Sequence, residues 1–140
     1  MLSWPEMREM HRAGFALGAH TLTHRNLTRL PSHLIEAEVS ESKKIIEDNL
    51  GAPVAAFAYP FGRHDDRTRE IVRRHFACAC SDRLSLVTSG SNLHALERID
   101  TYYLRTDRLF DVMLSRMLPW YLRTRNWPRQ IRRSLVDLMP

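Results

Sequence analysis

The chain has 140 residues, 44% of them hydrophobic and 26% charged. This is one domain's worth of ordinary globular composition, and it excludes collagen-like, low-complexity and strongly disordered chains. The net charge of +5 is uneven: residues 1–100 hold 13 Lys or Arg against 13 Asp or Glu, whereas residues 101–140 hold 8 Arg against 3 Asp.

Ser3 to Arg12 reads as a short helix, with Ser3 and Glu6 at capping-box spacing, Pro5 in the first turn and Gly14 as its end. Phe15 to Ala19 is a brief apolar run bounded by turn signals, which predicts a buried strand. A polar loop, His20 to Leu30, leads to the clearest helix, Ser32 to Leu50, which Gly51 stops. Val54 to Tyr59 predicts a second strand, ended by Pro60. Asp65 or Asp66 caps a helix to His75, and Ala77 to Cys80 predicts a third strand. Further on, Ile99 to Leu104 predicts a strand. Asp107 to Leu118 predicts a helix, with Phe110, Met113, Leu114, Met117 and Tyr121 at helical spacing and Pro119 and Pro128 as interruptions.

Alternating strands and helices argue for a parallel α/β architecture, whose working loops lie at the C-terminal ends of the strands. Cys78 and Cys80 are two apart, on one face of a strand, and read as small core hydrophobes; they leave the redox compartment open. No apolar run approaches the roughly 18–20 residues of a membrane-spanning helix. The residues after Met1 lack a basic stretch and an apolar core, so no signal peptide is expected among them.

Two segments carry candidate chemistry. In His20-Thr-Leu-Thr-His24, two imidazoles sit on one short segment after a strand, which preorganises half of a tetrahedral metal site. The alternative is a pair of polar loop histidines. Tyr59-Pro-Phe-Gly62 makes a stiff turn able to aim a backbone N–H into a pocket, where it stabilises an oxyanion. The alternative is an ordinary strand-ending turn.

In order and spacing, Gly14-Phe-Ala-Leu-Gly-Ala-His-Thr-Leu-Thr-His-Arg-Asn-Leu27 followed by Gly51-Ala-Pro-Val-Ala-Ala-Phe-Ala-Tyr-Pro-Phe-Gly62 resembles the polysaccharide deacetylases with the NodB homology domain. Leu2-Ser-Trp4 and the helix carrying Glu38, Ser42 and Lys43 share the resemblance, which covers residues 2–80 well, 81–106 loosely and the tail hardly at all. It implies an irregular (β/α) barrel, present here in part, and a metal-dependent hydrolase that removes acetyl groups from N-acetylated sugars of a polysaccharide or glycolipid. His20 and His24 match the family's metal-binding histidines, with Zn2+ or another divalent ion as cofactor. Thr21 matches the hydroxyl residue that braces their loop. Pro60 and Phe61 match the segment whose backbone N–H faces the tetrahedral intermediate, and Tyr59 precedes it.

The family pattern begins with a strand ending in two Asp, one the general base and one the third metal ligand. The 19 residues before His20 contain no Asp, and His94, in Asn92-Leu-His-Ala, does not match the family's late Leu-x-His acid. His64, Asp65 and Asp66, just after the Pro-Phe-Gly turn, are candidate substitutes, although a helix cap is the simpler role for Asp65 or Asp66. The expectation is a partial domain over residues 1–106, from a truncated gene, an internal start or a split protein, followed by a basic helical extension over 107–140. Missing leading strands would leave a sheet edge and apolar surface uncovered, which implies lower stability or self-association. The extension, rich in Arg with Trp120, Tyr121 and Trp127, suits an anionic membrane surface or a solvated packing arm; its charge fits nucleic acid, but no binding motif supports that. The rival to the enzyme is a non-catalytic remnant that binds metal weakly or rests on a membrane. The compartment is left open.

Overall fold

The structure, a computed structural model, describes residues 2–113 and 115–126. Leu114 and the end of the basic extension, 127–140 with Trp127 and Pro128, lie outside the described residues. The chain divides into two compact units, residues 1–82 with 92–96, and residues 83–91 with 97 onward.

In the first unit, helix α1 (Trp4–Arg12) has the expected capping box, with the Ser3 N–H donating to Glu6 Oε2 at 2.7 Å. It buries no side chain, and Arg8 ties it to α2 by donating to the Asn49 carbonyl at 3.0 Å. Helix α2 (Ser32–Leu50) ends at Gly51, whose φ of 66° and bond to the Glu47 carbonyl form a left-handed cap. Its inward face is Ile35, Glu38, Val39 and Ser42.

Strand β1 (Ala56–Ala58) pairs in parallel with β2 (Cys78–Leu84), joined through helix α3 (Asp66–His75). With β3 (Leu96–Arg98) they form an open sheet in the order β1-β2-β3, so the α/β architecture and its parallel pairing are as the alternating pattern predicts. The core of the first unit gathers Leu27, Ile35, Val39, Phe57, Val72 and Ala79, each at most 2% exposed. Polar links lock α2 to α3: Lys43 donates to the His75 carbonyl and lies over the Phe76 ring, and Glu36 pairs with Arg74 and His75.

Three expectations are corrected. Phe15 to Ala19 is not a full strand; it meets β1 in a single parallel bridge, Ala19 to Phe57. Cys78 and Cys80 share a face, but the inward positions of β2 are Ala79 and Ser81, so both thiols sit half-buried on the other side. The strand expected over 99–104 lies earlier, at β3. There the Asp100 carboxylate accepts from the Tyr102 N–H at 2.9 Å and turns the chain into a 3-10 segment, Thr101–Leu104.

In the second unit, helix α4 (Asp107–Met113) is shorter than expected, and 118–126 forms a separate helical segment with Pro119 in its first turn, where proline is tolerated. Leu84, Leu118 and Leu122 form its core, with Ile99, Met113 and Tyr121 packed on it. A cavity of about 400 Å³ in this unit is lined by Arg83, Leu84, Thr88, Leu122, Arg123 and Asn126 among others, none of them a candidate site residue. Among the described residues, no helix is long and apolar enough to cross a membrane.

Candidate functional site

The site begins where the chain leaves the bridge at Ala19. The Ala19 N–H donates to the Ala56 carbonyl and its own carbonyl accepts from Ala58, both at 2.9 Å. Gly18 permits this approach: a Cβ there would lie 3.0 Å from the Ala56 carbonyl oxygen. The next residue, His20, therefore emerges beside the end of β1. Its Nδ1 bonds the Ala58 carbonyl at 2.7 Å. A carbonyl only accepts, so Nδ1 carries a proton, which in the neutral ring leaves the lone pair on Nε2, the tautomer that ligates a metal through Nε2.

Between the two histidines the backbone is bent hard. Thr21 and His24 hold φ of 65° and 59°, a region that costs about 1–3 kcal/mol for residues other than Gly and is worst for β-branched ones. Two devices hold it. Thr21 Oγ1 accepts from the His24 N–H at 3.0 Å. Glu38, reaching from α2, accepts from the Leu22 N–H at 2.9 Å, the Thr23 N–H at 2.8 Å and the Thr23 hydroxyl. Burial opposes the ionisation of Glu38, but these bonds and the Arg25 charge outweigh it and hold the carboxyl below its usual range. The resulting turn brings the His20 and His24 rings edge-to-face, centroids 4.8 Å apart.

The second segment meets this pair. Pro60–Gly62 forms a 3-10 turn closed by the Gly62 N–H to Tyr59 O at 2.9 Å and the Arg63 N–H to Pro60 O at 3.2 Å. Phe61 holds φ of 57° and projects its ring, 59% exposed, against His24 at 4.8 Å. Gly62 is obligatory, because its φ is 63° and a Cβ would fall 2.2 Å from the Asp82 carboxyl group. Tyr59 anchors the turn from below: its ring is buried and its hydroxyl donates to the His94 carbonyl at 2.8 Å. Burial pushes the phenol well above its ordinary value, so it stays a neutral donor.

Thus His20, His24 and Phe61 form one chain of ring contacts. His64 lies instead against the Tyr59 ring, tilted by 44° with centroids 5.0 Å apart. Asp65 caps α3, its Oδ1 accepting from the Thr68 N–H at 2.7 Å, with Arg67 near its other oxygen. His94 Nε2 bonds the Phe76 carbonyl at 2.9 Å. No group of three His, Cys, Asp or Glu side chains able to hold a metal ion occurs among the described residues. The tautomer of His20 suits a metal, yet two imidazoles are half of a tetrahedral donor set and one short of a catalytic site's three protein ligands. The described residues do not complete a metal site by themselves.

Glu38 is the residue that motif reasoning undervalues. Its legible signal is its place on α2, since positions 35, 38, 39 and 42 share one helical face. A carboxylate on an inward face demands donors, but sequence does not say that they lie fifteen residues back, in the histidine loop.

The family model for polysaccharide deacetylases matches residues 2–76, which include both segments. Over 72 residues, 51% of this chain and 15% of the relative, the sequence is 39% identical to chitin deacetylase 1 of Cryptococcus neoformans var. grubii. The fold is similar to the Streptococcus pyogenes deacetylase PplD in complex with acetate, with a TM-score of 0.68 and 27% identity over 70% of this chain and 44% of that one. It is likewise similar to BC0361, a polysaccharide deacetylase from Bacillus cereus, with a TM-score of 0.65 and 31% identity over 70% of this chain and 32% of that one. The chain spans less than half the length of each of these proteins. With a match that takes in more than half of its residues and both of the segments that meet at His24, this chain belongs to the polysaccharide deacetylase family.

Proposed function

We propose that this chain supplies the histidine-loop and Pro-Phe-Gly part of a metal-dependent carbohydrate N-deacetylase, acting on amide-linked acetyl groups of an amino-sugar polysaccharide or glycolipid. The observation that carries this is the meeting of His20, His24 and Phe61 within the segment that matches the family. On this reading His20 and His24 are two ligands of Zn2+ or a similar divalent ion, and a third ligand and the general base come from outside the described residues. A divalent ion in such a place polarises a carbonyl and acidifies bound water. The chain's own residues do the rest. The carbonyl of Ala58 holds His20 in its ligating tautomer. The N–H of Phe61, offered on a turn fixed by Gly62 and Tyr59, donates to the oxygen that becomes negative as the acetyl carbon turns tetrahedral. Exposure of the Phe61 ring beside His24 leaves room for a sugar at this end of β1.

The test is Zn2+ binding by the full chain, and acetate release from N-acetylglucosamine oligomers by the full chain together with a segment that supplies the third ligand and the general base, each with and without His20→Ala and His24→Ala. The enzyme reading expects Zn2+ binding that either substitution weakens and metal-dependent release that either substitution abolishes. Absence of release from the folded, completed protein would leave it a non-catalytic member of its family. Membrane contact through the basic extension and self-association through an uncovered edge of the first unit belong to the same reading. Vesicle co-sedimentation and sedimentation velocity report on them respectively.

A further inference from the structure

We propose that Glu38 is a positioning residue, whose carboxylate sets the loop that presents His20 and His24 before any ligand arrives. This rests on the reading of those histidines as the working pair. Glu38 is 7% exposed on the inward face of α2. It is the one carboxylate on that face, and it accepts three hydrogen bonds, all from Leu22 and Thr23. Those two residues lie between Thr21 and His24, whose positive φ the loop must sustain. The Thr21 hydroxyl braces one side of the turn through the His24 N–H, and Glu38 braces the other. A buried carboxylate that serves only α2 would look for donors on its own helix or on α3. Glu38 is committed to the loop between the histidines.

The test uses the full chain, isotope-labelled, without metal or substrate. Two signals are read: amide exchange at Leu22 and Thr23 against core amides of Val39 and Phe57, and the His20 ring nitrogen shifts, which report the Nδ1–H tautomer. Glu38→Ala is expected to speed exchange at Leu22 and Thr23 roughly tenfold relative to the core, the size of one lost hydrogen bond each, and to mix the His20 tautomers. Glu38→Gln keeps a carbonyl oxygen for the two N–H groups and is expected to restore most of both signals. Should Glu38→Ala not fold, Glu38→Gln and Thr23→Val, which removes only the hydroxyl bond, carry the comparison; a smaller shift of both signals in each supports the proposal. A folded variant with loop exchange and ring shifts unchanged overturns it. So does loss of protection that falls equally on loop and core, which marks plain destabilisation. Neither signal needs activity, so a chain that releases no acetate yet shows the clamp loses only the deacetylase reading, and the converse result loses only the clamp.

Discussion

The ring of Phe61 stands edge-on to that of His24, with centroids 4.8 Å apart and planes at 69°. Each of these residues holds a positive φ, 57° and 59°, so two strained turns from different parts of the sequence meet through their side chains. Strain at Phe61 gives a graded prediction. Phe61→Gly relieves the left-handed conformation, worth about 1–2 kcal/mol, but loosens the unfolded chain by a similar amount, so stability should stay within about 1 kcal/mol. Phe61→Val places a β-branched residue in the same conformation and should lower stability by about 1–3 kcal/mol. Urea denaturation of the three proteins gives the order, and a Phe61→Val protein as stable as Phe61→Gly would show that φ relaxes without cost.

One residue on, Gly62 has no room to vary. Gly62→Ala combines a positive φ with a Cβ 2.2 Å from the Asp82 carboxyl group, and should destabilise by about 2–4 kcal/mol. Adding Asp82→Ala should recover only part of this, because the Asp82 Cβ itself would lie 2.4 Å from the new methyl. Full recovery would place the whole penalty in the side chain and none in the backbone.

Acid should loosen α2 from α3. Burial raises the pKa of Glu36, but its bonds to Arg74 and His75 and their charges outweigh that and hold it below its ordinary 4.5. A carboxylate with a depressed native pKa lends stability above its unfolded pKa, and loses it as pH falls below about 4.5 through the native value. The side chain is 38% exposed, so the contribution is at most about 1 kcal/mol after solvent screening. Glu36→Gln should flatten the stability profile below pH 4.5 and lower it above. A profile that keeps its acid slope in that variant would assign the slope to other carboxylates.

Packing sets a larger scale. Ile35 is fully buried on the inward face of α2, and Ile35→Ala should cost about 2–5 kcal/mol, a large share of a small domain's stability. Because Ile35 lies one helical turn before Glu38, thermal melting of this variant also calibrates how much of any change at the histidine loop is global.

Most of the helical framework was legible because its signals are local. Ser3 with Glu6, Asp65 with Thr68, and Gly51 each fix an end within a few residues. Short apolar runs were less informative. Phe15 to Ala19 has strand-like composition, yet only Ala19 reaches a neighbour, since pairing depends on β1 and not on the run itself. Tyr102 and its neighbours favour a strand by propensity, but one Asp100 hydrogen bond decides otherwise. At the candidate site the place of the Pro-Phe-Gly turn after β1 followed from the alternation of elements, whereas the strand expected before His20 is a single bridge at Ala19. The convergence of Phe61 on His24, and the reach of Glu38 to Thr23, did not follow from that pattern, because both depend on contacts made across the fold.

The hydroxyl of Tyr59 ends on the carbonyl of His94, and the neighbouring Leu93 carbonyl accepts from Ala79 at 2.8 Å. Residues 92–96 thus complete the first unit although the chain on either side of them, 83–91 and 97 onward, belongs to the second. A version cut after residue 82 would strand a buried phenol and a strand N–H without acceptors, at about 1–3 kcal/mol each. Anyone seeking the smallest autonomous piece that carries the histidine loop should therefore keep the chain through residue 96, and shorten it within 83–91 instead.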